Sequence, residues 1–326
     1  MKKFGVFLGK CILVALPFIL VIGYTFVFPF GYMDNEYPDR AYTKDVINGS
    51  DSYETIILGD SRAVADIIVN EFDESAVTLA NGGATSIENY YYLKEYIKKH
   101  GAPKRCIIGF APFHYIQIDN FWNRTVYFNE LTISETAEVM KNAQAISGMK
   151  TEGILSSGDY IDLISNRLRL PHVYMPALVN SHFVGRYSEN KATYDLVSSQ
   201  RGHHLYGTED GCSDLNYEVN YEAMAETPDA ELLREYLLKL MDLCRENNID
   251  TYIIALPMNR SSYENLHEPY VKSLYLFLRS LSDLYPEATV ENEIIYYEDE
   301  MFGDASHLNQ KGAEIFTEEF KSKFNL

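Results

Sequence analysis

No charged residue lies between Cys11 and Met33. The core of that run, CILVALPFILVIGYTFVFPF at positions 11–30, rises about 1.5 Å per residue as a helix and so matches the ~30 Å hydrocarbon thickness of a bilayer. Lys2, Lys3 and Lys10 precede it, and Asp34 and Glu36 follow it. The positive-inside tendency puts the N-terminus in the cytoplasm and everything after residue 34 outside. The run is longer than the apolar part of a cleaved signal, and no small-x-small cleavage site follows. Residues 1–33 are therefore expected to be a short cytoplasmic tail and an uncleaved single-pass anchor in the cell membrane, with Pro17 tolerated inside it. Residues 34–51 are polar and rich in Tyr, Pro, Asn and Gly, and they read as a juxtamembrane linker. Residues 52–326 read as the main extracytoplasmic domain.

Within that domain the periodicity alternates. Buried-type strands are predicted over 53–58, 77–80, 105–109 and 250–256, with a fifth over 293–297. Helices are predicted over 87–100, 230–247, 268–284 and 310–324. Lys98, Lys99 and His100 fill the last turn of the first, where cations suit the helix dipole. Leu232, Leu233, Tyr236, Leu237, Leu240, Met241 and Cys244 share one face of the second. Strands alternating with helices of this length imply an α/β fold with a parallel sheet of about five strands covered on both faces. Residues of about 115–228 separate the third and fourth strands. That is too long for a plain loop, so a mostly helical insertion is expected, with helices near 133–146 and 159–168 and a polar stretch over 188–227, shaping a substrate cleft.

Charge narrows the partners. The net charge is -19, and beyond the three N-terminal lysines 25 basic side chains face 47 acidic ones. Such a surface repels nucleic acid and anionic headgroups, so no nucleic-acid partner is expected. Cys11 falls in the anchor. Cys106, Cys212 and Cys244 show no CxxC spacing and allow at most one disulfide.

The first strand ends in LGDSRA, positions 58–63. Gly, Asp and Ser are ordinary turn residues, so Ser61 taken alone signifies little. Ligands of open parallel sheets, however, bind at the carboxyl ends of strands. After the fifth strand comes MFGDASHLNQKGAEIF at 301–316, where Asp304 and His307 stand three apart ahead of a helix that Asn309 can cap. A serine attacks a carbonyl at neutral pH only with a base beside it. Histidine is the usual base, and a carboxylate fixes its tautomer and steadies the imidazolium. The order Ser61, Asp304, His307 brings nucleophile, orienting carboxylate and general base to one edge of the sheet.

These residues resemble the SGNH/GDSL hydrolase superfamily. GDSR at 59–62 matches its first block, and DASHLNQKG at 304–312 matches its last. NGGATS at 81–86 is similar to the second, with Gly83 in place of the glycine that donates an oxyanion-hole N–H. The third block, normally Gly-x-Asn-Asp, reads GFAPFHY at 109–115 and lacks the Asn. The resemblance spans 53–325, with the matching letters confined to these islands. It implies a flavodoxin-like three-layer α/β/α fold and an oxyanion hole built from the N–H groups of Ser61 and Gly83. His114, Asn120 or Asn123 is expected as a replacement third donor, and Arg62 as a substrate contact. No metal and no cofactor are expected. A cytoplasmic tail, one membrane helix and an outer Ser-Asp-His domain are similar to the bacterial cell-envelope branch that handles acyl groups in teichoic-acid and polysaccharide modification. That likeness implies a serine esterase or O-acyltransferase acting on acetyl or similar groups of a cell-surface glycan or teichoic-acid-like acceptor, beside a multi-pass membrane O-acyltransferase.

Other readings fit less well. The α/β-hydrolase elbow is Gly-x-Ser-x-Gly, and here it is Gly-Asp-Ser-Arg-Ala. His114, His203, His204 and His307 are too scattered for a metal site. A different class, a non-catalytic membrane-tethered glycan-binding or scaffolding protein, draws support from the missing Asn. The aromatics Tyr90–Tyr92, Phe110, Phe113 and Tyr115 suit either sugar stacking or the core.

Overall fold

The computed structural model describes residues 2–118, 121–146, 154–155 and 159–323. Helix α1 (Lys2–Val27) runs unbroken through Pro17, and Lys3–Val27 is long and apolar enough to cross a membrane. It is almost wholly exposed as far as Leu20, whereas Thr25 is fully buried against the rest of the fold.

The expected linker over 34–51 is instead mostly a helix, α2 (Tyr37–Asn48), with Asp39, Arg40, Tyr42, Thr43, Val46 and Ile47 buried. Pro38 sits in its first turn, where its missing N–H costs nothing. Its buried face is half polar, which is why composition alone suggests a linker. The polar groups are met by distant partners. Arg40 Nε pairs with Glu130 at 2.9 Å, and the Asn81 side-chain amide donates to Thr43 Oγ1 at 3.0 Å.

The chain continues through β1 (Thr55–Gly59), α3 (Ser61–Asp66), α4 (Val69–Phe72), β2 (Ala76–Thr78), α5 (Ser86–His100) and β3 (Arg105–Gly109). The insertion supplies α6 (Ile133–Ala145), α7 (Asp159–Arg167), α8 (Pro171–Asn180) and α9 (Tyr187–Ser199). After it come α10 (Pro228–Glu246), β4 (Asp250–Ile254), β5 (Met258–Asn259), α11 (Arg260–Tyr263), α12 (Glu268–Leu284), β6 (Thr289–Val290), β7 (Tyr296–Tyr297) and α13 (Gln310–Lys323). Local chemistry sets several ends. Thr85 and Glu88 form a capping box at the start of α5, and Gly101 closes it at φ 85°. Thr227 caps α10 by accepting from Ala230 N–H, and the predicted stripe from Leu232 to Cys244 is the buried face.

Five strands form one parallel sheet in the order β2-β1-β3-β4-β6. The alternation of side chains sorts the strand residues into two cores. Ile56, Leu58, Cys106, Ile108 and Ile253 pack with α5, α10 and α12. Ile57, Ile107 and Ile254 face the other way, onto Val64, Phe316 and Phe320 of α3 and α13. The fifth strand is displaced from its expected position. Thr289–Val290 pairs with β4, while Tyr296–Tyr297 pairs with β5 in a separate two-stranded ribbon. The edge strand is only two residues long, too short to leave a periodic signal.

Candidate active site

The turn after β1 is built on close approach. Gly59 has φ 149°, and a Cβ there would lie 1.9 Å from the Gly109 carbonyl oxygen of β3. Asn89 of α5 latches the same residue, accepting its N–H at 2.9 Å and donating to its carbonyl at 3.2 Å. Asp60 then caps α3 by accepting Arg62 N–H at 2.9 Å, so Ser61 opens that helix at the carboxyl end of the strand.

The opposite half of the site is a loop ahead of α13. Asp304 Oδ1 accepts the N–H groups of Ser306 and His307 at 2.7 and 2.8 Å, which folds the loop around its carboxylate. His307 Nδ1–H donates to Asp304 Oδ2 at 2.9 Å, and its Nε2 accepts from Ser61 Oγ at 2.8 Å. Burial pushes the Asp304 carboxyl up, but the His307 ring and the two N–H donors outweigh it and hold the group below its usual range. Asn309 caps α13 as expected, accepting Gly312 N–H at 3.0 Å. The end of the insertion braces the loop: the Asn216 side-chain amide donates to Ser306 Oγ at 2.9 Å, and Tyr206 lies over the His307 ring at 5.1 Å.

Ser61, Gly82, Gly83, His114, Tyr206, Tyr217 and His307 line one cleft of about 260 Å³, with Glu36 and Arg124 at its wall. Gly83 adopts φ 67°, a conformation glycine favours. Arg40 donates to the Gly82 carbonyl at 2.7 Å. In a trans peptide the following N–H points the opposite way, so Arg40 turns the Gly83 N–H away from itself. The residue that does this belongs to α2, which is why a linker reading of 34–51 misses it.

The candidate third donors separate clearly. His114 is buried and lines the cleft, with Nδ1–H donating to Asp60 Oδ2 at 2.5 Å. Its Nε2 is buried and has no hydrogen-bond partner among the described residues. Asp60 Oδ2 also accepts Ala111 N–H at 2.7 Å. Full burial raises the Asp60 carboxyl, but the His114 ring, Arg62 and the Ala111 N–H prevail and hold it low. Asn123 is exposed and lies outside the cleft lining. Asn120 lies outside the described residues.

Arg62 belongs to the cleft lining but is 2% exposed. Its guanidinium donates to Glu218 at 2.6 Å, and Glu218 also accepts Tyr270 O–H at 2.6 Å, which ties α3 to the insertion. Of the aromatics, Tyr91, Tyr92, Phe110 and Tyr115 are buried in the core, Tyr90 is half-buried, and Phe113 is buried but lines the cleft. All four cysteines are free thiols. Among the described residues no group of His, Cys, Asp and Glu is placed to hold a metal ion.

Comparison with protein-family models, curated proteins and solved structures returns no match for this chain.

Proposed function

We propose that the chain is a membrane-anchored serine esterase or O-acyltransferase of the SGNH/GDSL type. It acts through a Ser61 acyl-enzyme on acetyl or similar O-acyl groups of a cell-surface glycan or teichoic-acid-like acceptor. The observation that carries this reading is the continuous hydrogen-bond chain from Ser61 through His307 to Asp304, at 2.8 and 2.9 Å. A hydroxyl, an imidazole and a carboxylate in series are what nucleophilic acyl transfer needs, and a binding module has no use for them.

In this reading Ser61 Oγ attacks the acyl carbonyl carbon as His307 Nε2 takes its proton. Asp304 steadies the imidazolium. The oxyanion accepts hydrogen bonds from the N–H groups of Ser61, at the start of α3, and Gly83. Collapse breaks the ester bond, and His307 returns the proton to the departing alkoxide oxygen. Water or a glycan hydroxyl then gives its proton to His307 and attacks the acyl-enzyme; the acyl–Oγ bond breaks, His307 returns the proton to Ser61 Oγ, and free acid or the transferred ester leaves. His114 serves as third donor in place of the missing Asn. With Nδ1–H committed to Asp60, it can donate only through a protonated Nε2, as an imidazolium paired with that buried carboxylate.

Lys2, Lys3 and Lys10, ahead of the uncharged run of α1, favour a cytoplasmic N-terminus and an outer catalytic domain. The acyl donor is then delivered at the membrane by a multi-pass O-acyltransferase. A serine-directed fluorophosphonate tests the chemistry. Labelling of the full chain is expected and should vanish in Ser61→Ala; equal labelling of that variant would overturn the reading.

A further inference from the structure

The chain carries an apolar surface beside the end of its membrane helix that the fold leaves uncovered. Helix α7 buries Leu163 but exposes Ile161 and Ile164 on its other side, and Leu168 just after it is exposed too, with Ile161 70% exposed. After α8 the chain turns through two left-handed residues, His182 (φ 51°) and Phe183 (φ 69°), and leaves Phe183 and Val184 in the open with Val179. A left-handed backbone is unfavourable for a bulky side chain, and here it presents that side chain outward.

Position relative to α1 gives the surface its meaning. Tyr24 O–H donates to the Phe183 carbonyl at 2.6 Å, and Phe28 stacks on Tyr187 with ring centroids 5.1 Å apart. Val21 and Tyr24 pack into the cluster formed by Tyr174 and Leu178 of α8. Arg169, between α7 and α8, donates to the Thr25 carbonyl at 2.7 Å. Helix α1 is exposed nearly all round as far as Leu20, and beyond it Phe26 and Val27 stay exposed while Tyr24 and Thr25 dock. At about 1.5 Å per residue, the uncharged run at positions 11–30 covers ~30 Å, the thickness of the apolar core. The residues of α1 that dock onto α8 lie in the last turns of that run, toward its outer end, and α8 falls there with them.

Charge agrees. A chain with 47 acidic residues has none between Asp162 and Glu189, and that interval holds Arg167, Arg169 and Arg186. The longest acid-free stretch of the outer domain, residues 163–188, is thus the one beside the membrane helix, where carboxylates would meet anionic headgroups unfavourably and cations favourably.

We propose that α7, the end of α8 and residues 182–184 form a second, non-spanning membrane contact that sinks its apolar side chains into the lipid interface next to α1. The occupant is the bilayer, and the contact fixes the orientation of the domain where a single helix would leave it free to swivel. Glu36 of the cleft wall lies nine residues after Val27, so the same contact holds the candidate active site at a set height above the lipid. The proposal rests on α1 being a membrane anchor, and the test separates the two. Full-length protein is reconstituted in nanodiscs of phosphatidylcholine and phosphatidylglycerol, with and without brominated acyl chains. Single tryptophans are placed by Leu13→Trp, Ile161→Trp, Val184→Trp and Leu276→Trp in a Trp122→Phe background. Bromolipid should cause loss of emission at positions 13, 161 and 184, and none at 276 on α12. Loss at 13 with full emission at 161 and 184 would overturn the second contact and leave the anchor standing. A blue shift at 161 and 184 without quenching would mean that protein, such as a second copy, covers the surface, and would equally overturn it. No loss at 13 would remove the anchor and the proposal together.

Discussion

His114 donates its Nδ1–H to Asp60 at 2.5 Å, beneath the cleft that holds Ser61. The pairing leaves Nε2 as the one ring nitrogen able to meet an oxyanion. If it does so, His114→Ala should lower kcat by about 10²–10³, the cost of one lost oxyanion donor, with KM little changed. Steady-state kinetics beside a thermal melt decide the matter. A lowered Tm with unchanged kcat would make His114 a support for Asp60 and leave the hole with two donors.

Arg40 gives a separable test, because it holds the Gly82 carbonyl while Glu36 and Glu130 face its charge. Lysine keeps the charge facing Glu130 but lacks the fork that serves a carboxylate and a carbonyl together. Arg40→Lys should leave KM near its original value and lower kcat by up to ~10²-fold as the Gly83 N–H drifts from its direction. A change in Tm alone, with kcat intact, would show that Arg40 only stabilises α2.

Ser61 and His307 are bonded to each other and should act as one unit. Ser61→Ala and His307→Ala are each expected to remove several orders of magnitude of turnover on a small acetyl ester, and the double variant little more. Additive losses would mean that the two contribute by independent routes.

Two buried carboxylates should shape stability against pH in opposite ways. The folded-state pKa of Asp60 is depressed below 3.8 by His114, against the pull of burial. Its contribution is present above 3.8 and is lost as pH falls through the lower folded value. Asp66 is the reverse: burial raises it well above 3.8, although it accepts Leu308 N–H at 3.1 Å. The unfolded chain then releases this proton first, so its penalty grows as pH rises from 3.8. Asp66→Asn keeps an acceptor for Leu308 and should raise Tm at pH 7 more than at pH 4, whereas Asp60→Asn should blunt the loss of stability in acid. Denaturant titrations across pH check both signs.

Legibility from sequence followed where each residue finds its partners. The stripe from Leu232 to Cys244 on α10 and the strand residues 105–109 are held by local periodicity, and the structure keeps them within a residue or two. Asp304 and His307 are three apart on one loop, so their spacing already carries their pairing. Helix α2 hides because Arg40 and Thr43 are satisfied by Glu130 and Asn81, which lie far along the chain. The pairing of Arg62 with Glu218 is hidden for the same reason, since Glu218 is 156 positions away. The edge strand at 289–290 is too brief to be read, and the run at 293–297, with Ile294 and Ile295, attracts attention in its place.

The central claim is a covalent intermediate on Ser61. Full-length protein mixed with 4-nitrophenyl acetate and quenched in acid within the first turnover should yield a peptide carrying one acetyl group on Ser61. The adduct should be absent in Ser61→Ala, and in His307→Ala it should form far more slowly. An unmodified Ser61 peptide while nitrophenol is released, or undiminished release by Ser61→Ala, would contradict the account.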